Sequence, residues 1–260
     1  MRAWILSIGN ELLIGRTVNT NAAWLARKLT LLGYDVRREV TVPDEEDEEA
    51  EAFRDAVRRG VELVVSTGGL GPTFDDKTSE SLAKALGRQY DLNDAALELV
   101  KRRFAAAGLE LTQPRLKQAM MPRGAEPIPN PVGTAPGIWV REGSSIIIAM
   151  PGVPAEMQGM FEQYVEPRLR EVGPRLSFAE ESFTVRGVPE ADAAPIIERG
   201  MRMGRRVYVK SHPKGHEVGA PYLEIHVYAS AESEGEAREE VARVAGYLRE
   251  ELRKAGGEVE

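Results

Sequence analysis

The chain has 260 residues, no cysteine and a formal charge of −7. Disulfides and thiolate metal sites are thereby excluded, and the acidic balance argues against a general nucleic-acid binder. Hydrophobic residues make up 42% and charged residues 29%, which suits a globular chain of one large or two modest domains.

Residues 1–15 carry one basic residue before a short apolar run and no small-residue cleavage site, so they read as a first strand and loop rather than a signal peptide. No run approaches the ~20 apolar residues that span a bilayer, and a cytoplasmic protein with no membrane contact is expected. The three histidines, His212, His216 and His226, all fall late, which leaves no multi-histidine zinc site in the first half.

Residues 3–8 predict strand one, and 9–19 a polar loop. Asn19, Thr20 and Asn21 offer N-caps for a helix that stops at Gly33, with Leu25, Leu29 and Leu32 at helical spacing. Val36, Val40 and Val42 alternate as a second strand, closed by Pro43 and Asp44. The acidic run 45–52 continues through Phe53 and Val57 to Arg58, Arg59 and Gly60. It reads as a solvated helix whose carboxylates complement the N-terminal dipole, rather than as a metal or partner patch.

A buried strand is expected over 61–65, then the stretch TGGLGPTFDDKT (67–78), then a helix over 79–86. Gly68, Gly69 and Gly71 let a ligand approach the backbone, and a helix N-terminus just beyond offers free N–H groups to an anion. Asp75 and Asp76 stand at the same place. Carboxylates repel a phosphate unless a cation lies between them, so a divalent metal ion, Mg²⁺ or a similar transition metal, reconciles the two; the plainer alternative is an N-cap.

A helix is expected over 93–107, with Leu97, Val100 and Phe104 inward, and a short helix over 112–121 ended by Pro122; Met120 and Met121 read as core rather than as a flexible pocket lining. A second Gly/Pro loop, NPVGTAPG (130–137), feeds a hairpin of 138–140 and 146–150 that turns near Gly143. The second hairpin strand runs into PGVPAEM (151–157), where Pro154 starts a helix bearing Met157, Phe161 and Tyr164 on one face. The strand–helix alternation predicts a doubly wound α/β domain with a mostly parallel sheet and ligands at the C-terminal ends of its strands. A boundary is expected within 168–175, giving domains 1–172 and 173–260. The second is a smaller α+β domain with strands 178–186, 207–210 and 222–229 and helices 190–200 and 234–252.

Four ordered strings, SIGNELLIGRTVNTN (7–21), TGGLGPTFDDKT, NPVGTAPG and MPGVPAEM (150–157), closely resemble the CinA family, specifically its N-terminal molybdopterin-binding-like domain. The TGG loop with its downstream Asp is more distantly similar to the MoaB/Mog domain of molybdenum-cofactor biosynthesis. The resemblance implies a MoaB/Mog-like domain followed by a KH-like α+β domain, a homodimer, and hydrolysis of ADP-ribose or a related nucleotide diphosphate to AMP and ribose 5-phosphate. Longer members carry a further deamidase domain; this chain stops after the KH-like region, so that activity is not expected.

On this reading Asp75 and Asp76 hold the metal, and Glu11 is a candidate base or metal partner, or else bonds its own loop. Asn10, Asn19 and Asn21 are candidates for ribose or base contacts, with capping as the alternative. Thr67, Gly68, Gly69, Gly71, Thr73, Gly133, Thr134, Gly137, Gly152 and Glu156 complete the substrate site. The rival reading on the same scaffold is a molybdopterin-binding or adenylyl-transferring protein. A nucleic-acid adaptor is disfavoured: 175–260 holds 13 Lys and Arg against 16 Asp and Glu and has no Gly-x-x-Gly, only Pro213-Lys214-Gly215-His216.

Overall fold

The computed structural model describes residues 1–106, 108–204, 206–214 and 220–260, so Ala107 at the end of one expected helix and Gly215-His216 lie outside the described residues. The chain divides into two compact units, Met1–Thr30 with Tyr34–Pro174, and Leu31–Gly33 with Arg175–Glu260.

The first unit runs β1 (Arg2–Ile8), α1 (Asn10–Leu13), α2 (Thr20–Leu31), β2 (Asp35–Val42), α3 (Glu46–Arg58), β3 (Leu63–Thr67) and α4 (Thr78–Ala85). It continues with β4 (Tyr90–Leu92), α5 (Asp94–Ala106), α6 (Gln113–Leu116), β5 (Met120–Pro122), β6 (Glu126–Ile128), β7 (Gly137–Glu142) and β8 (Ser145–Met150). A rod of α7 (Pro154–Met160), a wide turn at Phe161–Val165 and α8 (Glu166–Val172) closes it. The main sheet has the order β2-β1-β3-β8-β7-β6. β2, β1, β3 and β8 are mutually parallel, while β7 pairs antiparallel with both β8 and β6.

Both faces of this sheet are covered, which is why β3 and β8 are apolar or small at every position and buried throughout. Trp4, Leu6, Val64, Ile147 and Ala149 face a core shared with Phe53 of α3, Leu82 of α4 and Val100 and Phe104 of α5. The alternate residues Ile5, Leu63, Val65 and Ile148 are equally buried on the other side. There Arg168 of α8 lies 4.0 Å over the Trp139 ring of β7, and Trp24 of α2 meets Phe161 edge-on at 5.3 Å.

Several expectations change. Part of the expected loop 9–19 is the short helix α1. The helix expected over 112–121 is only the single turn of α6 and a 3₁₀ turn, Lys117–Ala119, because Met120–Pro122 instead pairs antiparallel with Tyr90–Leu92. Strands of three residues show no usable alternation, so this pair and β6 carry no sequence signal. Met121 is core, as expected, at 1% exposure. The acidic run does form a helix, but Glu49 lies on its inward side and is fully buried.

The second unit is the smaller α+β element, with order β9 (Ser177–Arg186), α9 (Glu190–Met201), β10 (Val207–Pro213), β11 (Tyr222–Ala231), α10 (Glu234–Lys254) and β12 (Glu258–Val259). Its antiparallel sheet is ordered β10-β11-β9-β12, the split β-α-β arrangement. Val185, Leu223, Ile225 and Val227 pack on Ile197 of α9 and Val244 and Leu248 of α10. Ser233 and Glu236 form a reciprocal capping box at the start of α10.

Candidate functional site

In the first unit the strand order reverses between β1 and β3, and parallel strands open a crevice at such a point, at their C-terminal ends. There Gly68 continues β3 by one residue, its N–H bonded to the Met150 carbonyl at 3.0 Å. It sits at φ +112°, and a Cβ on it would lie 2.1 Å from the Ile8 carbonyl oxygen, so only glycine fits between the ends of β1 and β8. Thr78, fully buried at the head of α4, holds the returning loop. Its hydroxyl donates to the Gly68 carbonyl at 2.9 Å and its N–H to the Gly69 carbonyl at 3.1 Å. The Gly68 N–H is therefore taken. Among the described residues nothing accepts from the N–H groups of Gly69, Leu70 or Gly71.

The cleft over this loop has a volume of about 540 Å³. Glu11, Gly68, Gly69, Gly71, Thr73, Asp75, Asp76, Thr134, Gly152 and Glu156 all line it. An adjoining recess of about 80 Å³ takes Asn19, Asn21 and Thr67 and shares Glu11 and Gly152 with the cleft. Thr67 donates to the Pro151 carbonyl at 2.9 Å. Asn21 Nδ2 donates to Thr67 Oγ1 at 3.0 Å and to the Gly152 carbonyl at 2.8 Å. Asn21 thus ties α2 to the ends of β3 and β8. Asn19 caps α2, accepting from the Ala22 N–H at 3.0 Å, and its Nδ2 reaches Ser7 at 2.8 Å.

Three expected site residues stand outside both the cleft and its recess. Asn10 is exposed; its backbone N–H donates to the Asp44 carboxylate at 2.8 Å and its carbonyl accepts from the Ile14 N–H at 3.1 Å. Gly133 backs onto Glu156, whose carboxylate would lie 2.0 Å from an added Cβ, so this glycine makes room rather than binding. Gly137 opens β7, where a Cβ would meet Met160 at 2.6 Å and the Ala149 carbonyl at 2.7 Å; its role is sheet packing.

Other residues were not legible from the motifs. Asp44 and Gln118 line the cleft. Asn130 builds the 130–135 turn: its Oδ1 accepts from Val132 and Gly133, while its Nδ2 donates to the Ala135 carbonyl and to Glu156 at 2.6 Å. An Asn before a Pro-x-Gly turn was the available signal. Lys117 lies outside the cleft, in a neighbouring recess, and donates to the Thr73 carbonyl at 2.7 Å.

Five carboxylates, Glu11, Asp44, Asp75, Asp76 and Glu156, line the cleft, and no Lys, Arg or His does so among the described residues. Asp75 and Asp76 both approach the Thr73 hydroxyl, and Asp76 also accepts the Thr73 N–H at 2.8 Å. The hydroxyl has one proton to donate, so one of the two carboxylate contacts lacks a hydrogen between its oxygens. The Thr73 hydroxyl, the residue's own backbone N–H and the charges of Lys117 and Lys77 hold the Asp75 carboxyl below its ordinary value. The two side chains offer hard oxygen donors that suit Mg²⁺ or Mn²⁺. No group of three or more Asp, Glu or His forms a preassembled metal cage among the described residues. A cation here would take its remaining ligands from water and substrate.

Behind the loop lies Glu49. Its carboxylate sits beside the hydroxyls of Ser81 and Thr78 but makes no hydrogen bond of good geometry, and the Ser81 hydroxyl is likewise unpaired. Burial pushes its carboxyl up to about 7. The two hydroxyls act in the opposite direction, Asp44 adds to the rise, and Lys77 opposes it.

Residues 4–171 match the family described as a probable molybdopterin binding domain. A protein of Pyrobaculum arsenaticum is 57% identical over 98% of this chain and 96% of its own length. One of Aeropyrum pernix is 49% identical over 99% of this chain and 96% of its own. A crystal structure of the protein CinA, of unknown function, from Thermoplasma acidophilum is 46% identical with a TM-score of 0.60, covering 64% of this chain and 96% of that one.

Proposed function

The chain belongs to the family of probable molybdopterin-binding domains, and from that premise we propose that its cleft is the site of a metal-dependent pyrophosphatase acting on ADP-ribose or a related nucleotide-sugar diphosphate. One observation carries the reading: among the described residues, loop N–H groups without an acceptor and five carboxylates share a cleft that no basic side chain lines. Such a cleft repels a bare diphosphate and accepts one that arrives with a cation.

Asp75 and Asp76 would hold the divalent ion, with Thr73 fixing their orientation. The ion would supply charge neutralisation on the phosphate oxygens and a more acidic water. The N–H groups of Gly69 to Gly71 would bind one phosphate and stabilise charge that develops on its oxygens. Glu11 and Glu156 both line the cleft, and either can accept the proton of an attacking water. Attack at phosphorus breaks the bond to the bridging oxygen, which leaves with the second phosphate as ribose 5-phosphate and AMP separate. Asn19 and the Asn21 Nδ2 are engaged in tying the scaffold and so shape the recess, while the buried Asn21 Oδ1 has no partner among the described residues and is left as an acceptor. The second, KH-like or split β-α-β unit serves as a structural or dimerising module in this proposal.

A second reading, a molybdopterin-binding or adenylyl-transfer role, draws on the family match itself. Both ligands bear phosphate, so the loop does not separate them. Product analysis with ADP-ribose does, run with and without EDTA on the wild type and Asp76→Asn. The expected result is AMP release that needs metal and falls sharply in the variant. Turnover that ignores both perturbations would remove the roles given to Asp75 and Asp76. A melting-temperature shift with molybdopterin but not ADP-ribose would favour the second reading.

A further inference from the structure

Glu49 is the one fully buried carboxylate whose two oxygens find no hydrogen-bond donor among the described residues. It has no part in the chemistry above, yet α3 places it against the first turn of α4, the turn that holds the glycine loop. On that turn Thr78 has one hydroxyl proton, now donated to the Gly68 carbonyl. Ser81 has another, now unused.

We propose that Glu49 is a proton-linked positioning residue for the glycine loop: on ionising, its carboxylate competes with the Gly68 carbonyl for the hydroxyl proton of Thr78. The inference rests on the loop being the anion site proposed above, but its physical core is independent of the ligand.

A buried carboxylate without donors is costly, and it recruits the nearest hydroxyls. Ser81 turns to it without loss. Thr78 turns to it only by releasing Gly68, which frees the carbonyl at the start of the loop. Protonated Glu49 needs neither hydroxyl as a donor, and the Thr78–Gly68 bond persists. The charged groups facing Glu49 are few. Asp44, which follows β2, resists its ionisation, and Lys77, which precedes α4, assists it. β1 presents only Trp4, Leu6 and Ile8 on this side. The loop is therefore clamped below neutral pH and loosened above it, and the N–H groups of Gly69 to Gly71 grip an anion better in the clamped form.

ADP-ribose is a suitable probe, because its diphosphate is diesterified and does not titrate between pH 5.5 and 8.5. Two readouts are followed across that range: the amide signals of Gly68 to Gly71 in ligand-free protein by NMR, and, by calorimetry with Mg²⁺, affinity for ADP-ribose whose bridging oxygen is replaced by a methylene group, which resists the proposed hydrolysis. In the wild type the amide signals should titrate with one midpoint near neutrality. Affinity should weaken about three- to tenfold through it, the loss expected for one hydrogen bond in the loop. Glu49→Gln should abolish both changes and hold the tight form. Ser81→Ala removes the donor that costs nothing, so it should move the midpoint upward. A residue that merely fills space would leave the midpoint where it was. Loop signals that stay fixed in the wild type, or that titrate unchanged in Glu49→Gln, overturn the inference. If the loop titrates as described while this analogue fails to bind at any pH, the substrate assignment falls and the role of Glu49 stands.

Discussion

Replacing Glu49 with Gln should stabilise the protein at alkaline pH and do nothing at acid pH. The folded carboxyl is pushed up to about 7 by burial, against an ordinary value of 4.5. At about 1.4 kcal/mol for each tenfold change in proton affinity, the gap amounts to ~3 kcal/mol. The sign follows from proton counting. Below 4.5 both folded and unfolded chains hold the proton and no penalty exists. Between 4.5 and about 7 the unfolded chain releases its proton while the folded one keeps it, so stability falls as pH rises. Above 7 both are ionised and the full cost remains. Glutamine has the same shape and no charge, so the variant should match the wild type near pH 4.5 and exceed it by up to ~3 kcal/mol at pH 8. Urea unfolding of both proteins across pH 4.5–8 measures this. A stability difference that stays constant with pH, or a variant weaker at pH 8, would refute the claim that the carboxyl is buried without adequate donors.

Gly68→Ala puts a Cβ 2.1 Å from the Ile8 carbonyl at a positive φ and should destabilise by roughly 2–4 kcal/mol with loss of ligand binding. Gly87→Ala, also at positive φ but facing open space, should lose only about 1 kcal/mol in the same unfolding assay. Asn21→Ala leaves the Gly152 carbonyl without its donor and should cost about 1–3 kcal/mol, read as a lowered denaturation midpoint at unchanged slope. Ser233→Ala removes the cap of α10 and should cost about 1 kcal/mol in thermal unfolding, with ADP-ribose turnover unchanged.

The sequence by itself determined the alternation of strands and helices. Runs such as 63–65 and 146–150 are apolar throughout, as in strands covered on both faces, although β3 itself spans Leu63–Thr67, two residues later than the run 61–65 suggests. It also determined the loop. Gly68 and Gly71 followed by Asp75 and Asp76 combine backbone that must bend with carboxylates that must be compensated. These are local properties, set by φ preference and by charge within a few residues. The tertiary structure decided what depends on distant neighbours. Asp44 and Gln118 enter the cleft only because β2 and the turn after α6 end beside the glycine loop. Asn10 and Gly137 fall outside because a motif fixes spacing along the chain and not direction in space. Glu49 looked like one more solvated acid in a run of them. The packing of α3 buries it on the same side as Ala50, Phe53 and Ala56, and no count of charges along a sequence reveals which side of a helix will lose its water.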